Sequence, residues 1–325
     1  MGLPQNESIG ISRDDCDRDS QTQYRVPTLI LDQVRRRIWA FALFILILGV
    51  CFSRTLYALV QFAVHGDLYS HIILIPFISV YLIWIKRQQI VLDSEPSHKL
   101  AVITFAAGIG VVAIGLLLRV RAEMQTQDYL ATMTLASVIF LWGGCLLVFG
   151  LAAVRLFAFP LLFLLFMVPF PNSLQQQLQA LLQGSSAAAA RLLFQISGTP
   201  VLQQGTVIQL PGFSFEVAPE CSGIHSSFVL FITSFVAGHL LLRNLWAKAL
   251  LVLFVVPLAI IRNAIRIFTI GQLCVRISPD MIHSYIHQRG GPIFFAGSLI
   301  PLFLLLYFLA RLELRKLRTS SSRAV

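Results

Sequence analysis

Three residues in this chain have the types and placement needed for nucleophilic chemistry at a carbonyl: Cys221, Arg266 and His287. Cys221 lies in Pro219-Glu220-Cys221-Ser222-Gly223-Ile224-His225-Ser226, where a polar, proline-spaced loop turns into an apolar run from Phe228 to Leu242. At the N-terminal end of a helix, unpaired backbone N–H groups and the helix dipole both favour an anion, so a thiolate is stabilised there. A thiol nucleophile also needs a base for its proton and a positive group where an oxyanion develops. His287 stands just before Gly290-Gly291 at the start of another apolar run, and paired glycines let a second chain segment approach closely. Arg266 ends Arg262-Asn263-Ala264-Ile265-Arg266, deep enough in an apolar segment to be costly unless it faces the bundle or the headgroups.

Each of these residues has a rival. Arg262 and Arg266 are four apart and share a helical face, so spacing does not separate them, and snorkelling to the interface accounts for Arg262 equally well. His283 precedes His287 by one helical turn, and His225 follows Cys221 by four residues. Taken singly, each histidine reads more readily as an interfacial residue than as a catalyst. Two histidines at that spacing suit a metal, but no third ligand cluster accompanies them, and no metal or cofactor is expected. Cys274 shares a segment with the histidines; a disulfide to Cys221 would remove the nucleophile. Cys51 and Cys145 read as inert fillers of apolar helices.

The elements that must position these groups are membrane helices. Of 325 residues, 57% are hydrophobic and only 12% charged, and apolar runs near the spanning length recur along the sequence, which excludes a soluble protein. The pattern predicts an all-α polytopic membrane protein of about eight transmembrane helices, with a small extracytoplasmic helical and β-hairpin insertion before span 6. The spans fall at about 38–60, 68–85, 100–118, 129–149, 156–170, 223–242, 249–265 and 292–310. Span 5 is short and carries Pro160 and Pro169, the pattern of a kinked or tilted helix. The insertion covers 172–220: leucines 174, 178, 181 and 182 fall on one face of an amphipathic helix, and Phe213-Ser214-Phe215-Glu216-Val217 alternates as a hairpin strand does. Residues 268–290 read as a loop. Residues 1–34, with Asp14, Asp15, Asp17 and Asp19, read as a disordered tail, and 311–325 as a basic tail.

The formal charge of +10 reflects lysines and arginines between spans and implies no nucleic-acid partner. One set of inter-span segments carries Arg35, Arg36, Arg37, Lys86, Arg87, Lys99, Arg155, Arg243, Lys248, Arg311, Arg315, Lys316 and Arg318; the other set carries fewer. The chain reads as a multi-pass protein of the cell (inner) membrane, and the positive-inside rule predicts that both termini are cytoplasmic. Cys221, Arg266 and His287 converge on the extracytoplasmic face, although none of them was used to set the topology.

Glu220-Cys221-Ser222-Gly223-Ile224, Asn263-Ala264-Ile265-Arg266-Ile267, and His287 with Gly291 and Phe294-Phe295 resemble the three signature blocks of the exosortase/archaeosortase family. Tyr69-Ser70-His71 through Ile75-Pro76 to Leu82-Ile83-Trp84 is also similar, as are Gly205-Thr206-Val207-Ile208 and Leu210-Pro211-Gly212. The resemblance spans roughly 38–310, within a domain at 35–310. It implies that Cys221, Arg266 and His287 form the active site of a cysteine transpeptidase or peptidase. Its substrates would be exported proteins with a C-terminal motif, a transmembrane helix and a basic cluster. It also implies an acceptor, lipid-linked or polysaccharide among the candidates. His225 departs from the pattern, in which an arginine often follows the Cys-Ser-Gly block. Other classes remain open on sequence: a proline-broken transporter, a membrane transferase for lipid-linked substrates, or a silent scaffold of surface-polymer assembly. In each of these Cys221 is dispensable.

Overall fold

The computed structural model describes residues 35–87, 96–121, 123–217, 223–278 and 291–321. The tail 1–34, the segment with Glu220 and Cys221, and 279–290 with His283 and His287 lie outside the described residues. Among the described residues, five helices are long and apolar enough to cross a membrane: α4 (His98–Val120), α5 (Thr126–Leu156), α8 (Ile224–Leu241), α9 (Leu245–Arg276) and α10 (Gly291–Ser321). The number reaches 7 if two broken pairs each count as one span: α1 (Arg35–Cys51) with α2 (Ser53–His65), and Ala158–Met167 with α7 (Asn172–Ile196). The segment expected as span 2 is the shorter apolar helix Tyr69–Ile85, whose α-helical part is α3 (Leu74–Ile85). The chain is an all-α polytopic membrane protein with one small sheet.

The chain divides into two compact units, and the first comprises residues up to Val64 together with Ile72–Pro169. Here α1 and α2 meet at a 72° bend, and α4 and α5 form the most extensive helix pair. Without a hydrophobic drive between helices in lipid, close packing comes from small residues facing large ones. A Cβ on Gly108 would stand 3.1 Å from the Phe140 ring, and one on Gly143 3.0 Å from Phe105. Buried hydroxyls bond to their own helix: Thr134 Oγ1 donates to Leu130 O and Ser137 Oγ to Thr134 O. The expected kinked span 5 is a one-turn helix α6 (Ala158–Phe163) running into a 3₁₀ turn, Leu164–Met167. Trp142 Nε1 on α5 donates to Leu161 O and ties this segment down.

The second unit comprises His65–His71 and the chain from Phe170 onward. The expected amphipathic helix and its alanine-rich continuation are one helix, α7. Its packed face is Gln183, Ser186, Ala187, Ala190 and Phe194, whereas Leu174 and Leu181 are exposed. That is the membrane-protein arrangement: small and polar residues seek the protein, and leucines are left for lipid. The expected hairpin has a third strand. β1 (Leu202–Gln204), β2 (Val207–Leu210) and β3 (Phe213–Glu216) form an antiparallel meander with Leu202 opposite Gln209 and Ile208 opposite Phe215. Pro211-Gly212 turns β2 into β3; proline presets the first turn position, and Gly212 has the φ of 74° that the second requires. Ile208, Leu210 and Val217 pack with Phe194, Ala187 and Ala190 of α7 and with Ala264 and Ile267 of α9.

α9 overturns one expectation. The helix of span 7 does not end near 265, and the loop expected at 268–290 does not begin at 268, because α9 continues through Arg276. Nothing after Arg266 breaks the helix before Pro279. Ile267, Ile270, Gly271 and Cys274 extend its buried face, and Gln272 Nε2 donates to Ser197 Oγ and Thr199 Oγ1 at the end of α7. Cys274 is therefore a buried helical residue. At the other end, α10 continues helical to Ser321. Its Glu313 accepts from Arg243 N and Asn244 N, both at 2.9 Å, and Asn244 Oδ1 caps α9 by accepting from Trp246 N.

Candidate functional site

Of the three residues expected to act together, Arg266 is described; Cys221 and His287 lie outside the described residues. The site is therefore built from what flanks them in the chain. Two residues after Cys221, Gly223 caps α8 with φ 70° and ψ 14°. Only glycine takes this left-handed conformation without strain. Space demands glycine as well: a Cβ there would lie 2.9 Å from Arg262 Nη2 and 3.2 Å from Asn263 Oδ1. The Cys-Ser-Gly sequence thus ends at a point where α8 and α9 come into direct contact.

The Gly223 carbonyl gathers the start of α8 around itself. It accepts from Ser227 N at 2.9 Å, from Ser227 Oγ at 2.7 Å and from Ser226 Oγ at 3.1 Å. Arg262 Nη2 donates to the same oxygen at 3.1 Å and to Ser227 Oγ at 3.1 Å. Hydrogen bonds from an ionised donor are roughly twice as strong as neutral ones. Arg262 is only 7% exposed, so snorkelling does not describe it. Its Nη1 is buried and has no hydrogen-bond partner among the described residues, and no carboxylate among them pairs with it.

Arg266 follows one turn later on α9, half-buried and close enough for its charge to act on Arg262. Two guanidinium groups on one face make this stretch of α9 attractive to an anion or to a developing oxyanion. The other flank of the cysteine segment is held too. Val217 is buried, its N–H donates to Thr206 O at 3.0 Å, and its carbonyl accepts from the buried Gln183 Nε2 of α7. Val217 and Gly223, the described residues on either side of the cysteine segment in the chain, are thus held by Gln183 and Arg262 respectively.

Around the start of α8 stand further groups. His225 lies in its first turn with Nδ1 buried and unpaired among the described residues. The His71 ring packs 4.6 Å from the Phe228 ring, and Phe170 meets Phe228 edge-on at 5.0 Å. Tyr69 OH donates to Gln175 Oε1 at 2.7 Å, so Tyr69-Ser70-His71 docks on α7 and α8. Arg262, Gln183 and His71 are the structural partners that sequence reasoning did not assign. Arg262 was visible only as one of two arginines on a face, and Gln183 only as one of several glutamines on a polar helix.

The family model for transmembrane exosortases matches residues 60–304, most of the chain. The chain belongs to the transmembrane exosortase family. The match takes in Cys221, Arg266 and His287, together with Tyr69, His71, Gln183, Gly223 and Arg262. Membership makes it a multi-pass membrane protein concerned with processing exported proteins that bear sorting signals, in a family whose members are generally cysteine transpeptidases. No curated protein and no solved structure matches.

Proposed function

We propose that this exosortase-family chain is a cysteine transpeptidase or endopeptidase of the cell inner membrane. It cleaves the C-terminal sorting signal of exported proteins at the extracytoplasmic face, with both of its termini cytoplasmic. Cys221 attacks the scissile carbonyl as a thiolate, forming a C–S bond, and the oxyanion is met by the α9 guanidinium pair, Arg266 foremost. The tetrahedral intermediate collapses with breakage of the C–N bond, and His287 protonates the departing amine. The thioester is then attacked by a nucleophile that His287 deprotonates, and the thiolate leaves. Water as that nucleophile gives a peptidase; an amine or another acceptor gives a transpeptidase. The substrate presents a short motif, a membrane helix and a basic cluster.

The observation that supports this reading is the Arg262–Gly223 bond. It fixes the start of α8 only two residues after Cys221 in the chain, and α9, which supplies Arg262, carries Arg266 one turn on. A proline-broken transporter or a scaffold gives no reason for a cation to be spent on that backbone carbonyl. The test is covalent trapping. Wild type, Cys221→Ala and Cys221→Ser are each co-expressed with a candidate substrate bearing a C-terminal membrane helix and basic tail. A thiol-sensitive adduct and processed substrate, both absent in Cys221→Ala, are expected. Normal processing by folded Cys221→Ala would overturn the nucleophile and with it the mechanism.

A further inference from the structure

The first unit holds a cavity that this chemistry does not use. Arg54 lies in an otherwise apolar span, two residues past Phe52, where α1 and α2 bend by 72°. A cation in such a place is costly unless it has a purpose or a partner, and Arg54 makes no ion pair or side-chain hydrogen bond among the described residues. It lines a cavity of about 940 Å³ with Arg119, the last-turn arginine of α4, and Thr126 and Tyr129 at the start of α5. The cavity therefore sits at the turn end of the α4–α5 hairpin. Its remaining wall is chiefly apolar, including Phe62, Leu130 and Met133, and no carboxylate lines it.

Arg119 is held by its neighbours at the start of α5. Its guanidinium lies 5.2 Å over the Tyr129 ring, and Nη1 is 3.4 Å from Thr126 Oγ1, a long bond that leaves most of its donors unused. Two arginines without carboxylates call for an anion, and phosphate matches the guanidinium fork. The surrounding apolar wall calls for hydrocarbon. A volume of this size accommodates a headgroup and the first part of an acyl chain rather than a free ion. Arg54 also precedes the residues that the family model matches, so half of the cationic pair lies outside the matched region.

We infer that this cavity binds an anionic membrane lipid, its phosphate between Arg54 and Arg119 and its chain along the apolar wall. The test uses the full chain in phosphatidylcholine nanodiscs doped with phosphatidylglycerol carrying a photoactivatable acyl chain, with adducts mapped by mass spectrometry. Adducts concentrate on the peptides containing residues 51–62 and 126–133, and unlabelled phosphatidylglycerol competes them away, whereas phosphatidylcholine and inorganic phosphate do not. Arg54→Gln with Arg119→Gln lowers labelling at these peptides by at least about tenfold, as loss of two charge contacts to an anionic headgroup should. Ala58→Trp, which fills the cavity and keeps both charges, lowers it as well. Both variants must retain the wild-type gel-filtration profile and helical circular dichroism. Uniform labelling of all lipid-facing helices, or labelling unchanged in both folded variants, would overturn the site. Displacement by inorganic phosphate alone would overturn the lipid assignment. Processing of a sorting-signal substrate is not read in any arm, so the outcome is independent of the proposed thiol chemistry.

Discussion

Arg262 Nη2 and the carbonyl of Gly223 are joined at 3.1 Å, and the left-handed glycine at 70° leaves the arginine just enough room. Gly223→Ala attacks this relationship from the backbone side. The new methyl meets Arg262 Nη2 and Asn263 Oδ1, and the residue bears the left-handed penalty of about 1–2 kcal/mol. Processing of a sorting-signal substrate should fall by at least about tenfold, since positioning errors of about 1 Å cost rates of that order or more. The measurement is product formed per folded enzyme in membranes, with melting temperature as a control. Wild-type turnover in Gly223→Ala would show that the joint does not position the chemistry.

Arg262→Lys attacks the same joint from the other side. Lysine keeps the charge but not the planar fork, so it cannot hold Gly223 O and Ser227 Oγ as the guanidinium does. Turnover should drop in Arg262→Lys and further in Arg262→Gln. If charge alone mattered, the lysine variant would match wild type, so the ranking of the two variants separates geometry from field.

Gln183→Leu removes the donor to the Val217 carbonyl without leaving a gap. A buried acceptor that loses its partner costs about 1–3 kcal/mol. The melting temperature in detergent should fall, and proteolytic nicking between 217 and 223 should increase. Unchanged cleavage of that segment would mean that the sheet alone holds Val217.

The sequence carried the helical membrane fold plainly, because apolar runs of spanning length have few alternative explanations. It also showed the broken span at Pro160 and Pro169, and the strand alternation before Val217. What it concealed followed from packing. The continuation of α9 through Arg276 depends on Phe194 and Leu210 covering Gly271 and its neighbours, contacts made with residues far away in sequence. The inward face of α7 runs through Gln183, Ala187 and Ala190 rather than through its leucines, since hydrophobic periodicity marks the lipid side of a membrane helix as readily as the protein side. The Arg262–Arg266 ambiguity was real at the level of spacing, and only the Gly223 contact gives Arg262 a structural role.

Gly271→Val tests the long-range packing that extends α9. A Cβ at this position would stand 2.5 Å from Phe194 Cζ and 3.2 Å from Leu210 Cδ1, and Phe194 is fully buried. Overpacking of this kind costs about 1–3 kcal/mol. The variant should melt lower and lose hydrogen-exchange protection in residues 267–276 and 202–216 together. Loss confined to α9 would mean that the sheet does not depend on that helix.

Glu313→Gln probes the end of the second unit where α8 turns into α9. The carboxylate accepts from Arg243 N and Asn244 N, whereas an amide keeps one oxygen and presents a donor to the other N–H. Hydrogen bonds to charged groups contribute about 1.5–3 kcal/mol, and the exposure of this pair places the loss at the low end of that range. The melting temperature should drop by a few degrees, with a larger drop in Glu313→Ala. Turnover per folded molecule should stay at the wild-type level, because several turns of α9 separate Arg262 from Asn244, the cap of that helix. A loss of turnover without a loss of stability would instead make α10 part of the catalytic positioning. In that case Glu313 would act through the seating of α9, and Arg262→Lys combined with Glu313→Gln should show less than additive loss.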